Sequence, residues 1–208
     1  MQDDQYDAIV IGSGISGGWA AKELCEKGLR TLVLERGRNI EHLKDYPTWS
    51  KNPWDFPHGG RMPRAYTEAN PITSKAAGFG EDTAHFFIED SEQPYFQQRP
   101  FDWIRGYQVG GKSLTWGRAC QRWSDFEFKA PARFGYGPAW PIGYDDIAPW
   151  YSHVERFIGV CGNADGIEAM PDGDFLPPFE LNCVEEHLQQ VLLDKFRGRY
   201  LVQGRWAQ

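Results

Sequence analysis

Tyr6–Ile11 (YDAIVI) is a short apolar, β-branched run that stops at a glycine, and it reads as a fully buried parallel strand. Ile15–Lys27 reads as a helix with Trp19, Ala20, Leu24 and Cys25 near one face and Gly28 as its C-cap. Thr31–Leu34 (TLVL) is a second buried strand, ending at Glu35. Strand, helix and strand at this spacing predict a right-handed βαβ unit over residues 1–37. Residues 38–104 break the pattern. Prolines at 47, 53, 57, 63, 71, 94 and 100 interrupt every long helix, while Trp49, Trp54, Phe56, Phe86, Phe87, Tyr95 and Phe96 lie between them. Disordered segments are poor in aromatics, so this is an ordered, irregular excursion over the first domain.

Residues 105–128 begin with a glycine-rich stretch, Arg105–Gly117 (RGYQVGGKSLTWG). Residues 129–208 then return to helical spacing. Ile147, Tyr151, Val154 and Ile158 predict a helix over 144–160, capped by Asp145 or Asp146 with Pro149 in its first turn. Leu188, Val191 and Leu192 predict another over 184–196, and Tyr200–Val202 reads as the start of a strand.

The 208 residues fit one domain, or one domain and part of a second. Net charge is −7 with no Lys/Arg run, which argues against nucleic-acid binding because phosphate neutralisation needs clustered cations. Cys25, Cys120, Cys161 and Cys183 show no CxxC spacing, so no metal site is expected and all four read as free thiols in a reducing compartment. The acidic opening MQDDQYD lacks the basic region of a signal peptide, and no apolar run is long enough to span a membrane. A cytoplasmic location is expected, or a periplasmic one after export with a partner subunit.

The sharpest motif is Gly12-Ser13-Gly14-Ile15-Ser16-Gly17, a GxGxxG directly after a strand and opening a helix. Gly12 permits the tight turn, Gly14 lets the backbone approach a pyrophosphate, and Gly17 lets helix and strand pack closely. Glu35 lies 18 residues past Gly17, where a carboxylate accepts ribose hydroxyls and repels a 2′-phosphate. This is a dinucleotide site. FAD and NAD both use the arrangement, so an NAD-dependent dehydrogenase remains an alternative.

The opening YDAIVIGSGISGGWAAKELCEKGLRTLVLERG, with its Glu35-Arg36-Gly37 ending, resembles the FAD-binding start of the glucose–methanol–choline (GMC) oxidoreductases. GYQVGGKSLTWGRACQRWSDFEF is similar to that family's second FAD-contacting segment, and AWPIGYDDIAPWYSHVE to its entry into the substrate domain. Within the family the likeness is strongest to bacterial glucoside 3-dehydrogenases, and more distant to pyranose 2-oxidases. The resemblance implies an α/β chain: a Rossmann-like FAD-binding domain with a parallel sheet, and the beginning of an α+β substrate domain. It implies oxidation of a CH–OH group of a sugar or glycoside, with hydride passing to flavin. It places Gly12, Ser13, Gly14, Ile15, Ser16, Gly17, Glu35, Arg36, Gly110, Gly111, Ser113, Thr115, Trp116 and Gly117 at the cofactor, and a haem protein or small accessory subunit as electron acceptor.

Lys112 and Trp116 depart from the family's pattern after the paired glycines. Thr115 stands where pyranose 2-oxidases carry the histidine bonded to the flavin, so the FAD is expected to be non-covalent. The family's catalytic base is a histidine near the carboxyl terminus of a longer chain. None of His42, His58, His85, His153 and His187 falls in a matching segment, so the expectation is a cofactor-binding portion without its own base. A non-catalytic FAD-binding or assembly fragment is the other alternative.

Overall fold

The computed structural model describes residues 5–208; the acidic residues 1–4 lie outside the described residues. The chain is mixed α/β and divides into two units, one ending at Gly117 and one spanning Arg118–Gln208. The division falls at the end of the glycine-rich stretch Arg105–Gly117.

In the first unit, strand β1 (Ala8–Ile11) pairs in parallel with β2 (Thr31–Leu34), in a register running from Ala8 opposite Thr31 to Ile11 opposite Leu34. Helix α1 (Ile15–Glu26) makes the crossover. Its end is a Schellman motif: Leu29 N–H reaches the Leu24 carbonyl and Gly28 N–H the Cys25 carbonyl, with Gly28 at φ 82°. Gly28 is therefore the residue after the cap, which is Lys27.

The strands are less buried than their apolar run implies. Val10 is covered by the start of α1, but Ile9, Ile11 and Leu34 are 60%, 85% and 49% exposed. Period-two geometry turns Ile9 and Ile11 away from the face on which α1 packs. On α1, Ala20 and Cys25 also point outward, while Gly17, Ala21 and Leu24 form the half-covered stripe. That i, i+4, i+7 spacing starts from the glycine, because the helix approaches the strand where it has no side chain.

Residues 38–104 hold one six-residue helix, α2 (Arg64–Ala69), and short 3-10 turns at Pro53–Asp55, Thr73–Lys75 and Ala84–Phe86. Polar bonds do much of the ordering. The Asp90 carboxylate accepts from Ile72 N (2.7 Å) and Thr73 Oγ1 (2.7 Å), and Asp90 N donates to Asn70 Oδ1 (2.9 Å). Asn70 and Thr73 are buried, so each bond satisfies a group otherwise costly to desolvate.

The second unit holds α3 (Asp125–Arg133), α4 (Tyr144–Ile158), β3 (Val160–Cys161), α5 (Cys183–Lys195) and β4 (Trp206–Ala207). β3 and β4 pair antiparallel, Val160 with Ala207 and Cys161 with Trp206. The strand expected to begin at Tyr200 thus begins six residues later, at Trp206. It is pinned by Arg205, 1% exposed, which donates to the carbonyls of Pro171 and Asn163 and to Asp172 Oδ1 (2.9 Å).

Asp145 does not cap α4. Gly143 is the N-cap, and Asp146 Oδ2 accepts its N–H at 2.8 Å. Pro149 therefore falls in the second turn, where it leaves the Asp145 carbonyl without its helical donor. Beside α4, Arg122 and Glu155 form a buried fork, Nε to Oε1 at 2.8 Å and Nη2 to Oε2 at 2.6 Å. Tyr144 Oη and Ser152 Oγ take further guanidinium donors, each at 2.9 Å.

Candidate dinucleotide site

The glycine loop leaves β1 at Gly12, whose φ of 88° only glycine adopts freely. Gly17 has a different constraint. A Cβ there would lie 1.9 Å from the Gly12 carbonyl oxygen, so helix and loop close only around a hydrogen. Gly14 is the N-cap of α1, with φ −61°, and a Cβ on it would meet nothing within 4 Å. The backbone of Gly14 thus faces open space at the helix start.

That helix start differs from the others of nine residues or more. α3, α4 and α5 each carry carboxylates in the first turn; Ser124 and Asn182 cap α3 and α5, and at α4, whose N-cap is Gly143, Asp125 Oδ1 accepts the Tyr144 N–H at 3.1 Å. α1 has no acidic residue in its first turn and no side-chain cap. Its first N–H groups and the positive end of its dipole are left for an anion.

Ser13 does not cap α1 because its hydroxyl is engaged elsewhere. Ser13 N and Oγ both donate to Glu35 Oε2, at 2.7 and 2.6 Å, and Gly37 N donates to Oε1 at 2.7 Å. These bonds, the Ser13 hydroxyl first, hold the Glu35 carboxyl down at about 2. Glu35 is anionic throughout the neutral range, which disfavours a 2′-phosphate nearby. Ile11, Gly12, Leu34, Glu35 and Arg36 line an open cavity of about 360 Å³ at the carboxyl ends of β1 and β2, where open α/β sheets take their ligands.

The second glycine-rich segment docks on this loop. Gly110 N donates to Ser13 Oγ at 3.0 Å. Gly110 and Gly111 have φ of 87° and 51°, and a Cβ on Gly111 would come within 3.2 Å of Gly14 Cα. Upstream, Arg38 and Gln108 form a parallel bridge, and a Cβ on Gly37 would meet Gln108 N at 2.4 Å. Gly37 and the buried Gln108 hold the two segments together. In the sequence, Gly37 marks only the FAD-binding ending Glu35-Arg36-Gly37, with no sign of this contact, and Gln108 has no role.

The remaining candidates take other positions. The Arg36 guanidinium stacks on the Tyr107 ring at 3.8 Å. Ile15 and Ser16 are exposed at the start of α1. Ser113 Oγ donates to the Gly110 carbonyl (2.5 Å) and Thr115 Oγ1 to the Lys112 carbonyl (3.4 Å), closing the 3-10 turn Gly111–Leu114. Trp116 and Gly117 are exposed at the end of the unit.

A larger opening of about 810 Å³ in the second unit, between the starts of α3 and α4, contains none of these residues. Among the histidines, His58 Nδ1 lies 2.7 Å from Glu81 Oε1, and burial pushes His85 down. Among the described residues no His/Cys/Asp/Glu group could hold a metal, and no helix is long and apolar enough to cross a membrane.

No family model matches the chain. It is similar to the fructose dehydrogenase large subunit of Gluconobacter japonicus, 25% identical over 86% of this chain and 31% of that protein. It is similar to paromamine 6′-oxidase of Streptomyces fradiae, 27% identical over 79% of this chain and 25% of that protein. It is also similar to the gluconate 2-dehydrogenase flavoprotein of Pantoea cypripedii, 27% identical over 77% of this chain and 26% of that protein. The chain spans a quarter to a third of the length of these relatives.

Proposed function

We propose that this chain binds FAD non-covalently and forms the cofactor-holding portion of a GMC-type oxidoreductase that converts a hydroxyl of a sugar or glycoside to a carbonyl. The observation that carries the reading is the joint geometry of the two glycine-rich segments. An uncapped, acid-free helix start faces open space, and Ser13 joins it both to Glu35 and to Gly110. An NAD site needs the first of these elements and does not account for the second. The relatives' names, two sugar-acting dehydrogenases and an oxidase, point the same way.

In this reading the α1 N–H groups and the Gly14 backbone hold the pyrophosphate. Glu35 accepts the adenosine ribose, whose adenine occupies the cavity of Ile11 and Leu34. Gly110–Leu114 passes beside the cofactor toward the flavin. Bound flavin would supply the hydride acceptor. Thr115 has no imidazole nitrogen, so nothing at that position bonds the flavin covalently. Electrons leave to a separate acceptor, a haem protein or an accessory subunit.

The test is a titration of the purified full chain with FAD and with NAD, followed by acid precipitation. The expected result is a yellow protein that ignores NAD and releases its flavin to the supernatant. A colourless protein that takes up NAD sinks the proposal. A yellow pellet overturns the non-covalent attachment.

A further inference from the structure

We infer that a small monocarboxylate, of the size of acetate or propionate, binds in a cavity against Arg105. The site lies in the first unit and shares no residue with the glycine-loop site, so it goes beyond the flavin reading and does not depend on it. Three arginines are buried among the described residues: Arg105, Arg122 and Arg205. Arg122 meets Glu155 at 2.6 Å, and Arg205 meets Asp172 at 2.9 Å. Arg105, 8% exposed, forms no ion pair among the described residues. Its Nη2 donates to the Gln93 carbonyl, while its Nε has neither a partner nor contact with solvent. The rings of Tyr95 and Trp103 lie over the guanidinium at 5.3 and 4.8 Å. They lessen the cost of burying the charge, but they supply no counter-ion.

A cavity of about 170 Å³ opens beside this group, lined by Ile72, Asp90, Pro94, Tyr95 and Arg105. A water takes up about 30 Å³ of liquid volume, so the space suits roughly five heavy atoms, fewer than a sugar ring with its hydroxyls. The wall also sets the charge. Asp90 Oδ2 accepts from Ile72 N and Asp90 Oδ1 from Thr73 Oγ1, both at 2.7 Å, so the carboxylate is met by donors of its own segment. The Arg105 charge has no such answer. A single negative charge in contact with Arg105 gains more than it loses to Asp90, whereas a dianion such as phosphate meets that repulsion twice. Ile72 and Pro94 make the rest of the wall apolar, which suits a short alkyl tail better than a hydrated ion. A carboxylate head on Arg105 with one or two carbons behind it satisfies the charge, the volume and the wall together.

The experiment titrates the full chain with sodium acetate and sodium propionate at fixed ionic strength and mildly alkaline pH, in the wild type, Arg105→Met and Ile72→Trp. Binding is followed by saturation transfer in NMR to the ligand's methyl protons, and phosphate is added as a competitor. The expected result in the wild type is saturable transfer to both carboxylates. Arg105→Met should bind them about tenfold or more weaker, the loss of a charge-assisted hydrogen bond. Ile72→Trp, which fills the cavity and leaves the guanidinium in place, should abolish the transfer, and it decides the matter even where Arg105→Met folds poorly. Phosphate should displace propionate only at about tenfold or more the concentration at which acetate does. A wild type without saturable transfer holds water alone in the cavity and overturns the inference. So does transfer that both variants leave unchanged, or phosphate that competes as well as acetate. None of these outcomes bears on the FAD titration.

Discussion

Gly14 and Gly17 belong to one motif, yet the structure separates what each does: alanine at either position should cost the cofactor, but only at Gly17 should it also cost stability. At Gly14 the backbone is in a region open to any residue, and an added Cβ meets nothing within 4 Å. Alanine reduces unfolded-chain entropy by about 0.4–1 kcal/mol, and as an N-cap it is poorer than glycine by a similar amount. The two effects cancel, so the flavin-free protein should unfold within about 1 kcal/mol of wild type. The methyl group nevertheless stands where the pyrophosphate must approach, and FAD should be lost. At Gly17 the added carbon lies 1.9 Å from the Gly12 carbonyl oxygen and 3.4 Å from Val10 Cγ1. Helix and loop must separate by about 1 Å, an overpacking that costs about 1–3 kcal/mol. In a chain of this length that lowers the melting temperature by about 2–4 °C per kcal/mol, and the displaced helix start should also lose the cofactor. The assay is thermal unfolding of the flavin-free forms beside retention of the yellow colour in each. A Gly14→Ala protein that keeps FAD at wild-type affinity refutes the placement of the pyrophosphate. One that is destabilised as much as Gly17→Ala refutes the steric account.

Glu155→Leu strands the Arg122 guanidinium, whose side chain is 4% exposed. It should cost about 3–5 kcal/mol in urea unfolding, while the double variant Arg122→Met, Glu155→Leu recovers much of that; a double variant no more stable than the single one contradicts this. Glu35 has its folded pKa depressed to about 2 from 4.5, so its stabilisation is present above about pH 4.5 and is lost as pH falls through 2. The melting-temperature advantage of wild type over Glu35→Gln should therefore be full at neutral pH and shrink across that window; an advantage that does not change with pH would show that the Ser13 and Gly37 bonds do not favour the charged form.

The first unit's frame was legible because its signals are local. YDAIVI, the glycine loop and TLVL yield the observed β1, α1 and β2 to within two residues. Their burial was misjudged, since an apolar run reports the strand and not which of its faces is covered. Helix α3 was overlooked although Ser124-x-x-Glu127 is a capping box, with Glu127 Oε2 accepting from Ser124 N at 2.7 Å. Pro131 in its interior obscured the pattern. At the site, spacing identified Gly12, Gly14, Gly17 and Glu35 as a group. It could not show that Ser13 bridges 97 positions to Gly110, because a hydroxyl's partner is chosen by the fold and leaves no trace in periodicity. The close approach of Gly37 to Gln108 was invisible too, because a backbone contact between distant segments leaves no mark in either one's pattern.

The pairing of β3 with β4 carries a consequence for biosynthesis. Cys161 must wait for Trp206 before its ladder exists, and Arg205 must arrive before the carbonyls of Asn163 and Pro171 are satisfied. The first unit is a compact unit of its own that ends at Gly117. Ribosomes add about 5–20 residues per second, so the 90 residues from Gly117 to Ala207 give it a lead of about 5–18 s. During that interval the nascent chain holds a consolidated glycine loop beside a stretch of helices that still lacks its closing strand. Stalled chains challenged with protease should show residues 5–117 protected first, with 118–208 cut until Ala207 has emerged.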